Sequence, residues 1–202
     1  MQKRIAVLVS GGGTNLQALI DAQSRGELKN GLLAAVVSSR EGAFALERAA
    51  AAGIPGYVVA RRAFPDNRSM TAALVAQLRA LDIDLVVQAG VMHILTEGMV
   101  AAYPNAILNV HPALIPSFCG AGYYGLHVHE AALAYGVKVT GATVHFVNEV
   151  TDGGQIILQK AVDVLPGDTP ERLQRRVMEQ AEWVLLPKAL ELVCSGQLEG
   201  MK

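Results

Sequence analysis

What the chain has little of narrows the reading first. It has two cysteines in 202 residues, Cys119 and Cys194. They lie far apart and in no metal-ligand spacing, so neither a disulfide framework nor a zinc module is indicated, and a reducing compartment is the simplest setting. Aromatic residues are only 5%. Charge is sparse and balanced, with 17 Lys and Arg against 18 Asp and Glu, a formal net charge of -1. No basic stripe recommends a nucleic-acid partner. No apolar run reaches the length of a membrane span. Met1-Gln2-Lys3-Arg4 leads into a short apolar stretch and then glycines, with no cleavage-site pattern behind it. The expectation is a soluble cytoplasmic protein with no membrane association. No repeat, low-complexity tract or linker divides the chain, and 51% hydrophobic residues supply one substantial core.

What is present is an alternation. Short β-branched runs at Ile5–Val9, Leu32–Val37, Tyr57–Val59, Leu85–Val87 and Ala106–Val110 are separated by Ala/Leu-rich stretches of helical period. Helices are expected after Thr14, over Phe44–Ala52, Met70–Leu81, Glu97–Ala101 and His127–Tyr135, and from Thr169-Pro170 toward Leu192. Thr14 and Gln17 have capping-box spacing, and Pro187 is expected to kink or interrupt the last helix. Two further runs, Gly141–Val147 and Gln155–Val162, alternate and fit an antiparallel or mixed edge. The predicted fold is a single α/β domain, Rossmann-like, with a mostly parallel twisted sheet and helices on both faces.

Three places can carry chemistry. Ser10-Gly11-Gly12-Gly13-Thr14-Asn15 follows the first strand and opens a helix, whose free N–H groups and positive dipole end suit a phosphate. It lacks the lysine and spacing of a P-loop and the spaced glycines of the dinucleotide fingerprint; a plain tight turn is the alternative. Asn109-Val110-His111-Pro112 puts an amide and an imidazole on one side of a strand end, where α/β folds hold their sites. That pair can stabilise a carbonyl oxygen that gains charge, or merely cap loose backbone groups. Thr151-Asp152-Gly153-Gly154 reads as a hairpin turn, or as a carboxylate able to orient a histidine and raise its pKa. His93, His127, His129 and His145 show no zinc pattern, and His145 reads as packed or hydrogen-bonded. Tyr123-Tyr124 reads as loop packing.

Together these pieces resemble the phosphoribosylglycinamide formyltransferase family. The residues that carry the resemblance are Ser10–Gln17, Ala89–Leu95, Leu108–Pro116, Gly141–Val147, Asp152-Gly153-Gly154 and Ile156–Gln159, in the family's order. The resemblance implies transfer of a formyl group from 10-formyltetrahydrofolate, a cosubstrate, to the amine of glycinamide ribonucleotide in purine synthesis, without a metal. Asn109, His111 and Asp152 match the family's catalytic trio. Gly12, Gly13, Thr14 and Asn15 match the phosphate-holding segment, and Gly90, Met92 and Glu182 the rest of the ribonucleotide side. Met92, His93, Ile94, Leu95, Asn109, Val147 and Asp152 match the folate pocket, and Arg68 the arginine near the folate tail. Residues 1–105 would then form the phosphate-binding half and 106–202 the catalytic and folate half of one domain. A monomer or a homodimer is expected.

Three departures stand out. His93 replaces the arginine of many relatives. Ser117–Gly125 is longer than the family's compact loop. The family's substrate-side glutamate corresponds to Glu182 when the alignment is anchored on Pro187, with Glu179 the less good match. Two other enzymes share an Asn/His/Asp core, a formyltetrahydrofolate deformylase and a methionyl-tRNA formyltransferase, but these usually carry an extra domain for which this chain has no room. A non-catalytic folate- or nucleotide-binding module is the alternative of a different class.

Overall fold

The computed structural model describes residues 1–90 and 97–200. Among them the elements run β1 Lys3–Val9, α1 Thr14–Ser24, β2 Gly31–Ser38, α2 Phe44–Ala51, β3 Gly56–Val58, α3 Asn67–Ala80, β4 Leu85–Gln88, α4 Glu97–Ala102, β5 Ile107–His111, α5 Leu126–Tyr135, β6 Val139–Phe146, β7 Ile156–Asp163, α6 Pro170–Val177 and α7 Trp183–Cys194. One seven-stranded sheet has the order β3-β2-β1-β4-β5-β6-β7. The pairs from β3 to β5 are parallel, and β5–β6 and β6–β7 are antiparallel. Every predicted strand is present, and among the described residues no helix is long and apolar enough to cross a membrane.

The apolar runs become strands because both faces of the sheet are covered. Leu16, Leu19 and Ile20 of α1 and Leu186 and Leu190 of α7 pack with Ile5, Val7, Val9, Leu108, Val110 and Val144. On the other face Leu74 and Leu78 of α3 and Met99 of α4 meet Ala6, Leu8, Val37, Val86 and Ile107. The chain moves from β1 outward to β2 and β3, then returns to the other side of β1 at β4. This reversal opens a crevice at the carboxyl ends of β1 and β4, the place where such sheets bind ligands.

Two local expectations need correction. Thr14 is the first helical residue rather than the cap. Gly13, left-handed at φ 72°, stands at the N-cap, and no side-chain capping bond forms. Gln17 is drawn elsewhere, its amide bonding Asp21 and accepting from Arg48. The last helix is also interrupted earlier than expected. Pro187 lies inside α7, while the widened π-helical turn is Met178–Glu182, where the Trp183 N–H reaches back to the Met178 carbonyl. A proline lacks the donor and crowds the carbonyl four residues back, which here is that of Trp183 inside α7.

Candidate active site

The glycine turn after β1 is held by its carbonyls. Gly11 O accepts from Ala45 N at 3.1 Å, Gly12 O from Arg48 Nε at 2.8 Å, and Gly13 O from Gln17 N at 2.9 Å. With the oxygens tied to α1 and α2, the first-turn N–H groups have no intrahelical acceptor and head the helix as an anion site would. Gly13 could not be another residue cheaply: a Cβ there would lie 2.7 Å from the Ala45 Cβ. Gly12 has nothing within 4 Å of such a Cβ. Behind the turn, Asn15 Nδ2 donates to Glu182 Oε2 at 2.8 Å. Glu182 is buried, and that burial pushes its carboxyl up against the opposing effect of Asn15. Asn15 Oδ1 is buried with no hydrogen-bond partner among the described residues. Glu182 therefore turns inward, whereas Glu179 is exposed and paired with Arg175 at 2.8 Å.

The second part of the site grows from the pleat. Leu108 and Val110 face the α1/α7 core, so Asn109 and His111 face the other side of β5. On β6 their register partners are His145 and Thr143. The nine residues after Phe146 do not form the tight hairpin that Asp152-Gly153 resembles. They fold back over this polar row, with Gly154 so close to the Phe146 carbonyl that an added Cβ would lie 1.7 Å from its oxygen. Asp152, left-handed at φ 54°, arrives with Oδ2 3.6 Å from His111 Nδ1 and Oδ1 3.7 Å from His145 Nε2. Asn109, His111 and Asp152 are thus brought together.

Hydrogen-bond partners assign the ring protons. Phe118 O lies 2.8 Å from His111 Nε2, and a carbonyl can only accept, so Nε2 carries hydrogen and Nδ1 faces the carboxylate. Phe146 O likewise fixes hydrogen on His145 Nδ1, at 2.7 Å. His145 Nε2 then accepts from Asn109 Nδ2 at 3.2 Å and sets the amide's orientation. Gly120 N–H donates to Asp152 Oδ2 at 2.8 Å. Burial pulls the His111 pKa below its usual value; the Asp152 charge and the Phe118 carbonyl oppose this without reversing it, and His145 adds to the lowering. The expected increase from Asp152 exists, but desolvation outweighs it because the ring side chain is only 5% exposed. Burial resists ionisation of Asp152 too, yet the polar contacts around it, the Gly120 N–H among them, hold its carboxyl below the usual range.

Other predicted residues fall as follows. Gly90, left-handed at φ 77°, is exposed just past the end of β4, beside the crevice. Val147 continues the ladder, its N–H bonding Ile107 O at 2.9 Å at the far end of β5 from His111. Arg68 is exposed in the first turn of α3 and is not among the trio's hydrogen-bond partners. Met92, His93, Ile94 and Leu95 lie outside the described residues. Among the described residues, no three His, Cys, Asp or Glu side chains are grouped as metal ligands would be. Sequence reasoning reads His145 as packed or hydrogen-bonded, as it is, without giving it a part in the site, and does not single out Phe118 and Gly120. Only His145 left a signal, as a histidine on a strand that pairs with Asn109; the other two act through backbone atoms.

Known proteins share this arrangement of chain. The formyl transferase family model matches residues 3–190. Phosphoribosylglycinamide formyltransferase of Haemophilus influenzae is 41% identical over 196 residues, covering 97% of this chain and 89% of that protein. Trifunctional purine biosynthetic protein adenosine-3 of Drosophila pseudoobscura pseudoobscura is 41% identical over 200 residues, 98% of this chain, which spans 14% of that longer protein. Glycinamide ribonucleotide transformylase 1 from Symbiobacterium toebii superimposes with a TM-score of 0.91 at 45% identity, covering 96% of this chain and 89% of that one. Matched from its first strand into its last helix, in sequence and in fold alike, the chain belongs to the phosphoribosylglycinamide formyltransferase family.

Proposed function

We propose that this chain transfers the formyl group of 10-formyltetrahydrofolate to the amine of glycinamide ribonucleotide in de novo purine biosynthesis. The observation that carries the reading is the convergence of an amide, an imidazole and a carboxylate at the carboxyl end of β5, two strands along the sheet from the glycine turn after β1. The amides of Gly12 to Asn15 would hold the ribonucleotide phosphate. Glu182 and the unpartnered Asn15 Oδ1 are acceptors, suited to hydroxyl donors of the sugar. Residues 1–105 would serve the ribonucleotide and residues 106–202 the chemistry and most of the folate. Arg68, the segment Met92–Leu95 and Val147 would contribute to folate binding, and Gly90 and Met92 to the glycinamide side. Two unpaired cysteines fit a cytoplasmic location.

The substrate amine attacks the formyl carbon, and a C–N bond forms while the carbonyl oxygen takes the negative charge. The second Asn109 N–H, left free by His145, and the His111 Nε2–H donate to that oxygen. The His111 ring is neutral before the attack because it is buried, and it still donates through Nε2; the developing charge and Asp152 then favour a second proton on Nδ1. The ammonium proton of the adduct passes by way of this pair to the folate nitrogen. The bond to that nitrogen breaks, the carbonyl re-forms, and no net proton is consumed. Losing one such donor lowers turnover about 10²–10³-fold.

The test is a folate absorbance assay with and without the acceptor. Formation of formylated ribonucleotide only when both substrates are present is expected. Water-dependent loss of formate without acceptor would make the chain a deformylase, and binding without turnover would make it a module.

A further inference from the structure

In this structure neither His111 nitrogen is open to a substrate. Nδ1 faces Asp152, and Nε2–H is bonded to the carbonyl of Phe118. The segment that supplies this carbonyl is unusual. Four residues between 118 and 125 have positive φ, and Phe118 at 49° is the only one that is not glycine. An aromatic residue in the left-handed region is an outlier that something must hold in place. Its ring is held edge-on by Tyr123 at 6.3 Å and by Tyr135 of α5 at 6.1 Å. Two residues on, the Gly120 N–H reaches Asp152. One short strap therefore gives a backbone partner to each of two candidate catalytic groups, and an aromatic clasp fixes its shape.

We infer that Phe118 is a positioning residue whose carbonyl holds the place of the formyl oxygen, and that the strap Ser117–Gly120 yields that place when the formyl donor binds. Both oxygens are carbonyl acceptors, and the ring position that Phe118 O occupies is the one the proposed chemistry requires. Before substrate arrives, the strap keeps the hydrogen of the neutral ring on Nε2. Without it, Nδ1 beside the carboxylate would compete for that hydrogen. When the donor binds, its oxygen takes over the same bond, and the ring enters the reaction in the correct tautomer. The cost is competition: the strap must be displaced, so whatever stabilises it weakens apparent affinity for the formyl donor.

This inference rests on the formyl-transfer reading, but one arm of its test does not. Tyr135 is 82% exposed, so Tyr135→Ala removes half of the clasp without opening the core. An edge-to-face ring pair shifts an equilibrium by roughly 2- to 12-fold. The KM for 10-formyltetrahydrofolate should fall by about that factor with kcat unchanged, and Tyr135→Phe should restore the wild-type KM. In the free proteins, ¹⁵N NMR of the neutral His111 ring should show hydrogen on Nε2 in wild type and a shift of population toward Nδ1 in Tyr135→Ala. A fall in kcat at unchanged KM would overturn the inference, because the strap would then belong to the reacting arrangement. Unchanged KM and unchanged ring tautomers would overturn it as well. Absence of turnover in the wild-type protein would instead refute the formyl-transfer reading, with the free-protein spectra still reporting on the strap.

Discussion

Neighbouring glycines of one turn should respond in opposite ways to substitution. Gly13→Ala puts a Cβ 2.7 Å from the Ala45 Cβ and 3.0 Å from its Cα, at a residue with φ 72°. The left-handed backbone costs an L-residue about 1–2 kcal/mol, and overpacking against α2 adds about 1–3. The total of about 2–5 kcal/mol is a large part of a typical domain's stability. With a urea m-value of about 2 kcal/mol per M, the unfolding midpoint should drop by roughly 1–2.5 M. A Cβ added at Gly12 meets nothing within 4 Å, so the midpoint of Gly12→Val should move little. Its side chain projects over the outward amides, and the ribonucleotide KM should rise at least about tenfold, the loss of one charge-assisted hydrogen bond, with the folate KM unchanged. Urea unfolding and steady-state kinetics with each substrate varied would check both. If Gly13→Ala unfolds at the wild-type midpoint, the steric account of the turn is wrong. If Gly12→Val leaves both KM values alone, the turn is structural only.

Other expectations concern titratable groups. His129 is fully buried with neither ring nitrogen paired among the described residues. Burial, helped by His111, lowers its pKa from 6.5 to about 4. The unfolded chain takes up this proton first, so stability should be complete above pH 6.5 and fall by about 3 kcal/mol as pH drops toward 4; His129→Leu should flatten that slope in pH-dependent unfolding. Asp168 is held near pKa 2, first by the Arg176 hydrogen bonds, one of them 2.7 Å. Its contribution is present above about pH 3.8 and lost as pH falls toward 2, so Arg176→Gln should raise the acid-unfolding midpoint. Asp152→Asn should keep its turn, since asparagine tolerates the left-handed backbone. It should slow turnover about 10²-fold and lower the His111 pKa further, read by titrating the ring in NMR; an unmoved titration would show that the two are not coupled.

The fold was legible because it is written in short-range pattern. Apolar runs such as Ile5–Val9 are buried on both faces, and helical faces such as Leu74 and Leu78 fill the layer between. Asn109 and His111 were legible for the same reason, since residues two apart share a side of a strand. What stayed hidden depends on contacts distant in sequence. Gly13 stands at the cap in place of Thr14, and Ala45, in another helix, leaves no room there for a Cβ. Asp152 reads as a hairpin residue, and only the close pass of Gly154 over Phe146 sends it back to His111. The partners of His111 and Asp152 on the strap are a carbonyl and an amide, which every residue has and no sequence pattern can mark. The balance between burial and charge at His111 likewise depends on three-dimensional surroundings.

The most direct test of the account is single-turnover formyl transfer by His111→Ala, with saturating glycinamide ribonucleotide and 10-formyltetrahydrofolate, alongside folate binding and thermal unfolding of the same protein. The account predicts a rate at least about 10²–10³-fold below wild type, with folate affinity within a few-fold of normal and the fold intact. Transfer at near the wild-type rate would contradict it, and the chemistry would then have to be assigned to groups other than the amide, imidazole and carboxylate gathered at the end of β5.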